Sequence, residues 1–214
     1  MSTTSEAQRG RGRPRDLGKR EAILTAATAL FYERGITATT MEAVAEKAAV
    51  SKMTVYSHFP DKASLLQATF ERNIGRMQLP ELTDETDLLP SIDALIAFGE
   101  QLVSFLTRPE IVKSGRLMVA SAEDHPALAA AFFAAGPAVM LGRVSAFLGS
   151  LCRRGLLAID QPDLAAEQLI AAWLGMSQLR QNLGVAGPPS PEEVARNVRQ
   201  ATRTFLAAWQ ATKR

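Results

Sequence analysis

Thr39-Thr40-Met41-Glu42-Ala43-Val44-Ala45-Glu46-Lys47-Ala48-Ala49-Val50-Ser51-Lys52-Met53-Thr54-Val55-Tyr56-Ser57-His58-Phe59-Pro60-Asp61-Lys62-Ala63-Ser64-Leu65-Leu66 decides how this chain folds. Thr39-x-x-Glu42 is a capping-box pattern, a hydroxyl and a carboxylate set to satisfy backbone N–H groups at a helix start. It opens a helix over 40–48. Ser51 caps a second short helix over 51–58, Pro60 breaks the chain, and Asp61 caps a third that carries Leu65, Leu66, Thr69 and Phe70. Ala43, Val44, Ala48, Val50 and Val55 are small apolar residues able to lock the first two helices at an angle. The pair forms a helix-turn-helix candidate, whose first helix would cross a DNA backbone while the second enters the major groove. Enzymes also contain short helix pairs, so this pattern alone leaves the function open.

Outward to the N-terminus, Ile23, Ala26, Ala27, Leu30 and Phe31 recur at helical spacing over 19–34, and Gly35 follows as a left-handed cap. Ahead of them lies a flexible basic arm, 1–18, in which Arg9, Arg11, Arg13 and Arg15 face only Glu6 and Asp16. Residues 1–76 hold twelve basic and eight acidic side chains, a net +4, whereas 77–214 hold twelve and fourteen, a net −2. That asymmetry suggests a polyanion at the N-terminal end. Arg11-Gly12-Arg13-Pro14-Arg15 is similar to an AT-hook core, an extended segment that lays arginines into a narrow A·T minor groove. A solvated tail adding only nonspecific attraction is the alternative.

Toward the C-terminus, 78–90 contains acidic residues and two prolines and separates a helix-turn-helix domain, 19–76, from a helical region, 77–214. Helices are expected over 91–107, from a Thr107-x-x-Glu110 cap towards Asp124, over 126–135 and 137–154, from about Pro162 through Leu183, and from Ser190-Pro191-Glu192-Glu193 onwards. The 17 uncharged residues 126–142 are interrupted by Gly136-Pro137 and fall short of the roughly 20 apolar residues of a spanning helix. They are expected as buried core helices, with no membrane partner. The fold class is therefore all-α.

The 39–66 wording, above all 54–66, strongly resembles the DNA-binding domain of TetR/AcrR-family transcriptional regulators. Ala26, Leu30 and Phe31 before Gly35 fit that family's first helix. The resemblance implies an all-helical homodimer that binds double-stranded DNA through its N-terminal domain and a small-molecule effector through its C-terminal one. Thr40 sits where the family contacts a phosphate, Ser51, Lys52, Thr54 and Tyr56 lie on the reading helix, and His58 follows at its end. Lys62 occupies the position of a phosphate-contacting lysine. Tyr56 is either a phosphate contact or a packing residue. Ala49 stands where glycine is usual, and a left-handed alanine there costs about 1 kcal/mol. Met53 replaces a small residue, and either touches a thymine methyl or shields the helix. Residues 116–173, with Glu123-Asp124-His125-Pro126-Ala127-Leu128 and Ala135-Gly136-Pro137, are similar to the AefR-like C-terminal type.

The C-terminal half has bulky apolar side chains, mostly core. From the resemblance, Phe98, Leu102, Phe105, Met118, Phe132, Phe133, Trp173 and Met176 are the candidates to line an effector pocket. Ala165, Leu169, Ala172, Met176, Leu179 and Leu183 step by four and three, as do Val194, Val198, Ala201, Phe205 and Trp209. Leu169, Met176, Leu179, Val198, Phe205 and Trp209 are accordingly expected at a four-helix dimer interface, burial of both faces within one chain being the alternative.

Catalytic hardware is scarce. Two histidines, His58 and His125, lie far apart, and Cys152 is the sole cysteine. The Glu123-Asp124-His125 cluster runs into Pro126 and reads as a helix terminus, Cys152 is either packing or redox-sensitive, and no phosphate loop is present. His58 suits hydrogen bonding to phosphate or protein better than metal binding. No cofactor, metal or catalytic residue is expected, and no apolar leader marks the first twenty residues, which points to a cytoplasmic protein. A ligand-responsive repressor of a palindromic operator is the leading expectation. An architectural DNA-binding protein and a small-molecule enzyme are the alternatives.

Overall fold

A computed structural model describes residues 13–74 and 88–209. Among the described residues the elements are helices, with no strand. Four helices build the N-terminal region: α1 (Arg13–Arg34), α2 (Met41–Lys47), α3 (Lys52–His58) and α4 (Lys62–Ile74). Ile23, Leu24, Ala27, Leu30 and Phe31 of α1 meet Val44, Val55, Leu65 and Leu66 in one dry cluster. Gly35 ends α1 at φ 86°, a backbone that L side chains rarely adopt. A Cβ on it would also lie 2.8 Å from Cδ1 of Leu117, so both conformation and close packing require glycine.

The remaining helices are α5 (Leu88–Leu106), α6 (Pro109–Ala120), α7 (Pro126–Ala135), α8 (Pro137–Arg153), α9 (Pro162–Leu174), α10 (Ser177–Asn182) and α11 (Pro191–Ala207). α5, α8, α9 and α11 enclose a second core around Phe98, Leu148, Leu169, Trp173 and Val198. Trp173 is fully buried, its indole N–H donates to the Thr202 hydroxyl at 2.8 Å, and its carbonyl accepts from Asn197 at 2.6 Å. These two bonds pin α9 to α11 while satisfying the only polar atom of a large apolar side chain. Ser190 and Glu193 form a reciprocal capping box at the start of α11, as the sequence suggests.

The other two Thr-x-x-Glu patterns behave differently. Thr39 is buried and its hydroxyl donates back to the Gly35 carbonyl at 2.7 Å; Thr40 is the N-cap of α2, accepting from the Ala43 N–H. Thr107 likewise donates back to the Val103 carbonyl, and α6 starts at Pro109 with no side-chain cap on Arg108. A threonine within reach of the preceding helix's orphan carbonyls serves that helix rather than the next.

Helix boundaries also differ from expectation: α5 begins at Leu88, inside the expected 78–90 linker, the rest of which lies outside the described residues. α1 begins at Arg13 instead of 19, with Pro14 in its first turn, where the missing N–H costs no bond. The backbone of 13–18 is therefore helical rather than extended. The helix expected to run through Leu183 is cut at Gly175, whose φ of 49° and ψ of −140° end α9. The run of apolar residues across that break is consequently not one stripe. Pro126–Arg153 is long and apolar enough to cross a membrane by length and composition. It is divided at Gly136, and Met140, Val144, Phe147, Leu148 and Leu151 of α8 belong to the second core.

Candidate nucleic-acid interface and effector cavity

The short α3 is fixed by its own hydroxyls and one buried anchor. Ser51, the N-cap, accepts from the Thr54 N–H at 3.1 Å, and the two hydroxyls lie 2.8 Å apart. Ser57 donates to the Thr54 carbonyl at 2.8 Å, while Val55 is fully buried and seats the helix on the core. What remains outward is a compact face of Ser51, Lys52, Met53 and Tyr56. Met53 is 79% exposed, which leaves its thioether available to a partner surface rather than to this domain's own packing.

Lys52 is held from both sides. Its ammonium pairs with the Glu42 carboxylate of α2 and lies 5.7 Å from the centre of the Tyr56 ring. The pair holds the Glu42 carboxyl below, and the Lys52 ammonium above, their usual ranges. Thr40, exposed, uses one lone pair on the Ala43 N–H and keeps its hydroxyl hydrogen for an outside acceptor. Ala49, in the turn between α2 and α3, has φ 53°, the left-handed conformation expected there.

Lys62 is a partial correction. Its ammonium donates to the carbonyls of Ile36 and Thr37 at 3.2 and 2.8 Å, tying α4 to the α1–α2 turn, and burial pulls its pKa down. Two of its three hydrogens are thus used inside the domain. His58 is half-buried with its ring 6.2 Å from that of Phe59, over which Arg20 sits at 5.4 Å. Arg11 lies outside the described residues; Arg13 and Arg15 lie on the helical backbone at the start of α1.

A cavity of about 770 Å³ opens between the two regions. α1 and α4 contribute Phe31, Tyr32, Leu66, Phe70 and Asn73; α5, α6, α7, α8 and α10 contribute residues such as Leu102, Phe105, Ile111, Arg116, Phe132, Met140 and Gln178. Of the eight residues expected to line an effector pocket, Leu102, Phe105 and Phe132 do so. Phe98 and Trp173 are instead buried in the second core, and Met118 belongs to the N-terminal core although it comes from α6. Phe133 and Met176 face solvent at 55% and 56% exposure. Size alone could not sort these residues, because a hydrophobic side chain serves core, cavity wall or surface depending on its helix's rotation. The wall residues missed from sequence include apolar ones such as Phe31, Phe70 and Met140 and polar ones such as Tyr32, Asn73 and Arg116; they come from different helices, and no spacing links them.

The same wall carries the mechanical link between the regions. Phe70 of α4 meets Phe132 of α7 edge-on at 5.3 Å, and a Cβ on Gly136 would lie 2.6 Å from the Phe70 ring. Lys113 of α6 donates to the carbonyl of Glu33 at 2.7 Å, and the hydroxyls of Thr37 and Ser121 are 2.7 Å apart. α6 and α7 are thus in direct contact with the N-terminal region through these side chains.

The expected dimer residues divide. Leu169 and Val198 are fully buried within the chain, where α9 and α11 pack on each other and on α5; they are core. Phe205 and Trp209 are half-buried against the same core. Met176 and Leu179 are exposed, as are Leu164, Ala171, Ala172 and Leu183 along the outer side of α9 and α10.

Two family profiles match the chain. Residues 23–69 match bacterial regulatory proteins of the tetR family, and residues 93–211 match the C-terminal domain of AefR-like transcriptional repressors. The helix-turn-helix-type transcriptional regulator YdeS of Bacillus subtilis is 34% identical over 130 residues, 55% of this chain and 60% of that protein. The aligned stretch thus spans about six-tenths of that curated relative. A solved TetR-family structure from Mesorhizobium loti superposes with a TM-score of 0.72 at 28% identity, covering 92% of this chain and all of the other. The flavonoid-responsive regulator FrrA superposes with a TM-score of 0.70 at 28% identity, covering 91% and 98%.

Proposed function

The chain belongs to the TetR family of bacterial transcriptional regulators, and from that premise we propose that it is a homodimeric repressor, released from a palindromic DNA operator by a small apolar effector. The observation that carries this reading is the pairing of an exposed, locally capped α3 face with a largely apolar cavity whose wall is shared by α1 and α4. Lys52, Met53 and Tyr56 present a cation, an apolar tip and a phenol to base edges and phosphates. Thr40 adds a hydroxyl at the start of α2. Phosphate contacts set the register and base-edge contacts the sequence. Lys62 acts mainly by holding the α1–α2 turn, with one ammonium hydrogen left for a phosphate. Arg11, Arg13 and Arg15 add charge beside the duplex and steepen the salt dependence.

Two readers require two chains. Two exposed groups of apolar residues flank Gly175: Leu164, Ala171 and Ala172 on α9, and Met176, Leu179 and Leu183 along α10; they are the surface assigned to a twofold contact. Half-sites then lie about one helical turn apart, roughly 34–36 Å. An effector in the cavity releases DNA if it binds more tightly to the form whose reader spacing mismatches the operator. The walls of Phe31, Phe70, Phe105 and Phe132 suit an aromatic effector, and the similarity to a flavonoid-responsive regulator supports the same class.

The test is selection from a randomised duplex library by the full chain, followed by footprinting and sedimentation of the complex. A palindromic site bound by a dimer is expected, with Lys52→Ala and Tyr56→Phe each weakening that site by about tenfold or less while the fold is kept. Uniform, sequence-independent binding would make the protein an architectural binder instead, and a monomer at working concentration would remove the dimer.

A further inference from the structure

We propose that the inter-region cavity selects its ligand by charge, taking an apolar aromatic body that carries a single acidic group, with Arg116 as the counter-charge. This rests on the reading of the cavity as the effector site and names the chemistry that site accepts.

Among the described residues lining the cavity, Arg116 is the one ionised side chain; no Asp, Glu, Lys or His joins it. Its partner in the structure is weak, a 3.4 Å bond from Nη1 to the carbonyl of Asn182. The guanidinium therefore keeps most of its planar fork of donors for something else, and that fork matches the two oxygens of a carboxylate or an acidic oxygen flanked by an acceptor. Gln178 and Asn182 of α10 share the cavity wall with Arg116. Their neutral amides can donate to an anion held by Arg116 but, offering oxygens as well, leave the choice of charge to the guanidinium.

The polar pair on the α1–α4 side of the wall leads to the same result. The Asn73 amide donates to the Tyr32 hydroxyl at 3.5 Å, leaving the phenol hydrogen to donate. Burial keeps Tyr32 a neutral phenol well past neutral pH; the charged groups acting on it are Glu110 on one side and Arg108 and Arg72 on the other. Glu110 acts on Tyr32 without lining the cavity, so no carboxylate is part of the wall among the described residues. A cation entering it would lose its hydration against apolar walls and face a guanidinium, whereas an anion would exchange water for charge-assisted hydrogen bonds.

Three isosteric probes test this by calorimetry on the full-length protein: biphenyl-4-carboxylate, biphenyl-4-methanol and biphenyl-4-methylammonium. The carboxylate is expected to bind about tenfold more tightly than the alcohol, and the ammonium more weakly than either, the exposure of Arg116 limiting the gain. Arg116→Gln is expected to bring the carboxylate-to-alcohol ratio within about twofold, and Arg116→Glu to reverse the order of carboxylate and ammonium. Thermal melts of both variants establish that they are folded. Equal binding of all three probes to the wild type, or a ratio untouched by Arg116→Gln in a folded protein, would overturn the charge selection while leaving the cavity as an effector site. Failure of all three probes, the neutral alcohol included, would overturn both.

Discussion

The N-terminal region and the C-terminal region fold from the same kind of element yet tie residues to function in different ways. In α2–α4 the helix starts are set by side-chain bonds three residues long, while Lys52 and Lys62 are tied to the neighbouring elements. Ser51 caps α3, Thr40 caps α2, and Asp61 accepts from the Ser64 N–H at 2.7 Å. In α5–α11 the positions are set by packing between helices far apart in sequence, as where Trp173 meets Thr202 and Phe98. Local bonds make a surface that projects a fixed pattern; long-range packing makes an interior that can shift between arrangements. A sensor joined to a reader needs one of each.

The comparison breaks first at Trp173. Trp173→Ala empties a fully buried site and is expected to cost about 3–5 kcal/mol in urea unfolding. Because Met118 and Leu117 of α6 pack into the N-terminal region, both regions should still melt together. Two separate transitions would show that the shared wall carries little.

How much of this was legible follows from the same difference. The helix-turn-helix, its cap at Ser51 and the α11 cap at Ser190 could be read directly, since each depends on neighbours within a few residues, whereas the left-handed Ala49 followed from the family resemblance. Thr39 and Thr107 mislead because the pattern that caps a following helix is also satisfied by closing a preceding one. Met118 could not be assigned by spacing, because its partners lie in α1–α4. Of the residues expected at a dimer interface, Met176 and Leu179 are exposed while Leu169 and Val198 are core, and one glycine within a regular 3–4 spacing gives little warning that the helix ends at Gly175.

The joint between the regions is tested by Gly136→Ala, whose Cβ would meet the Phe70 ring at 2.6 Å. A loss of about 1–3 kcal/mol is expected by chemical denaturation, with most of it recovered in Gly136→Ala/Phe70→Leu. Simple additivity of the two changes would mean that α4 and α7 do not press on each other there.

Two smaller effects concern the reader alone. Asp61→Ala removes the cap of α4 and is expected to cost about 1 kcal/mol near neutral pH. Hydrogen bonds from Ser64 hold the Asp61 carboxyl below its usual range. Its contribution is present above the ordinary aspartate pKa and is lost as pH falls through the lowered one. The melting temperature of the wild type should therefore drop more steeply than that of Asp61→Ala below about pH 4. Ala49→Gly relieves the left-handed alanine and should gain about 0.5 kcal/mol, the greater freedom of glycine in the unfolded chain offsetting part of the relief. A loss of stability on that change would place the strain elsewhere.

The coupling of cavity to reader is tested most directly by filling the cavity from within. Gly115 lines it on α6, and a Cβ there has no atom within 4 Å, so Gly115→Phe puts an aromatic ring where an effector would lie. Affinity for the selected operator, compared with wild type by fluorescence anisotropy at fixed salt, should fall by at least about tenfold in a variant that melts as a folded dimer. Operator affinity within twofold of wild type, in a variant that is folded and dimeric, would contradict the claim that the cavity controls the reader.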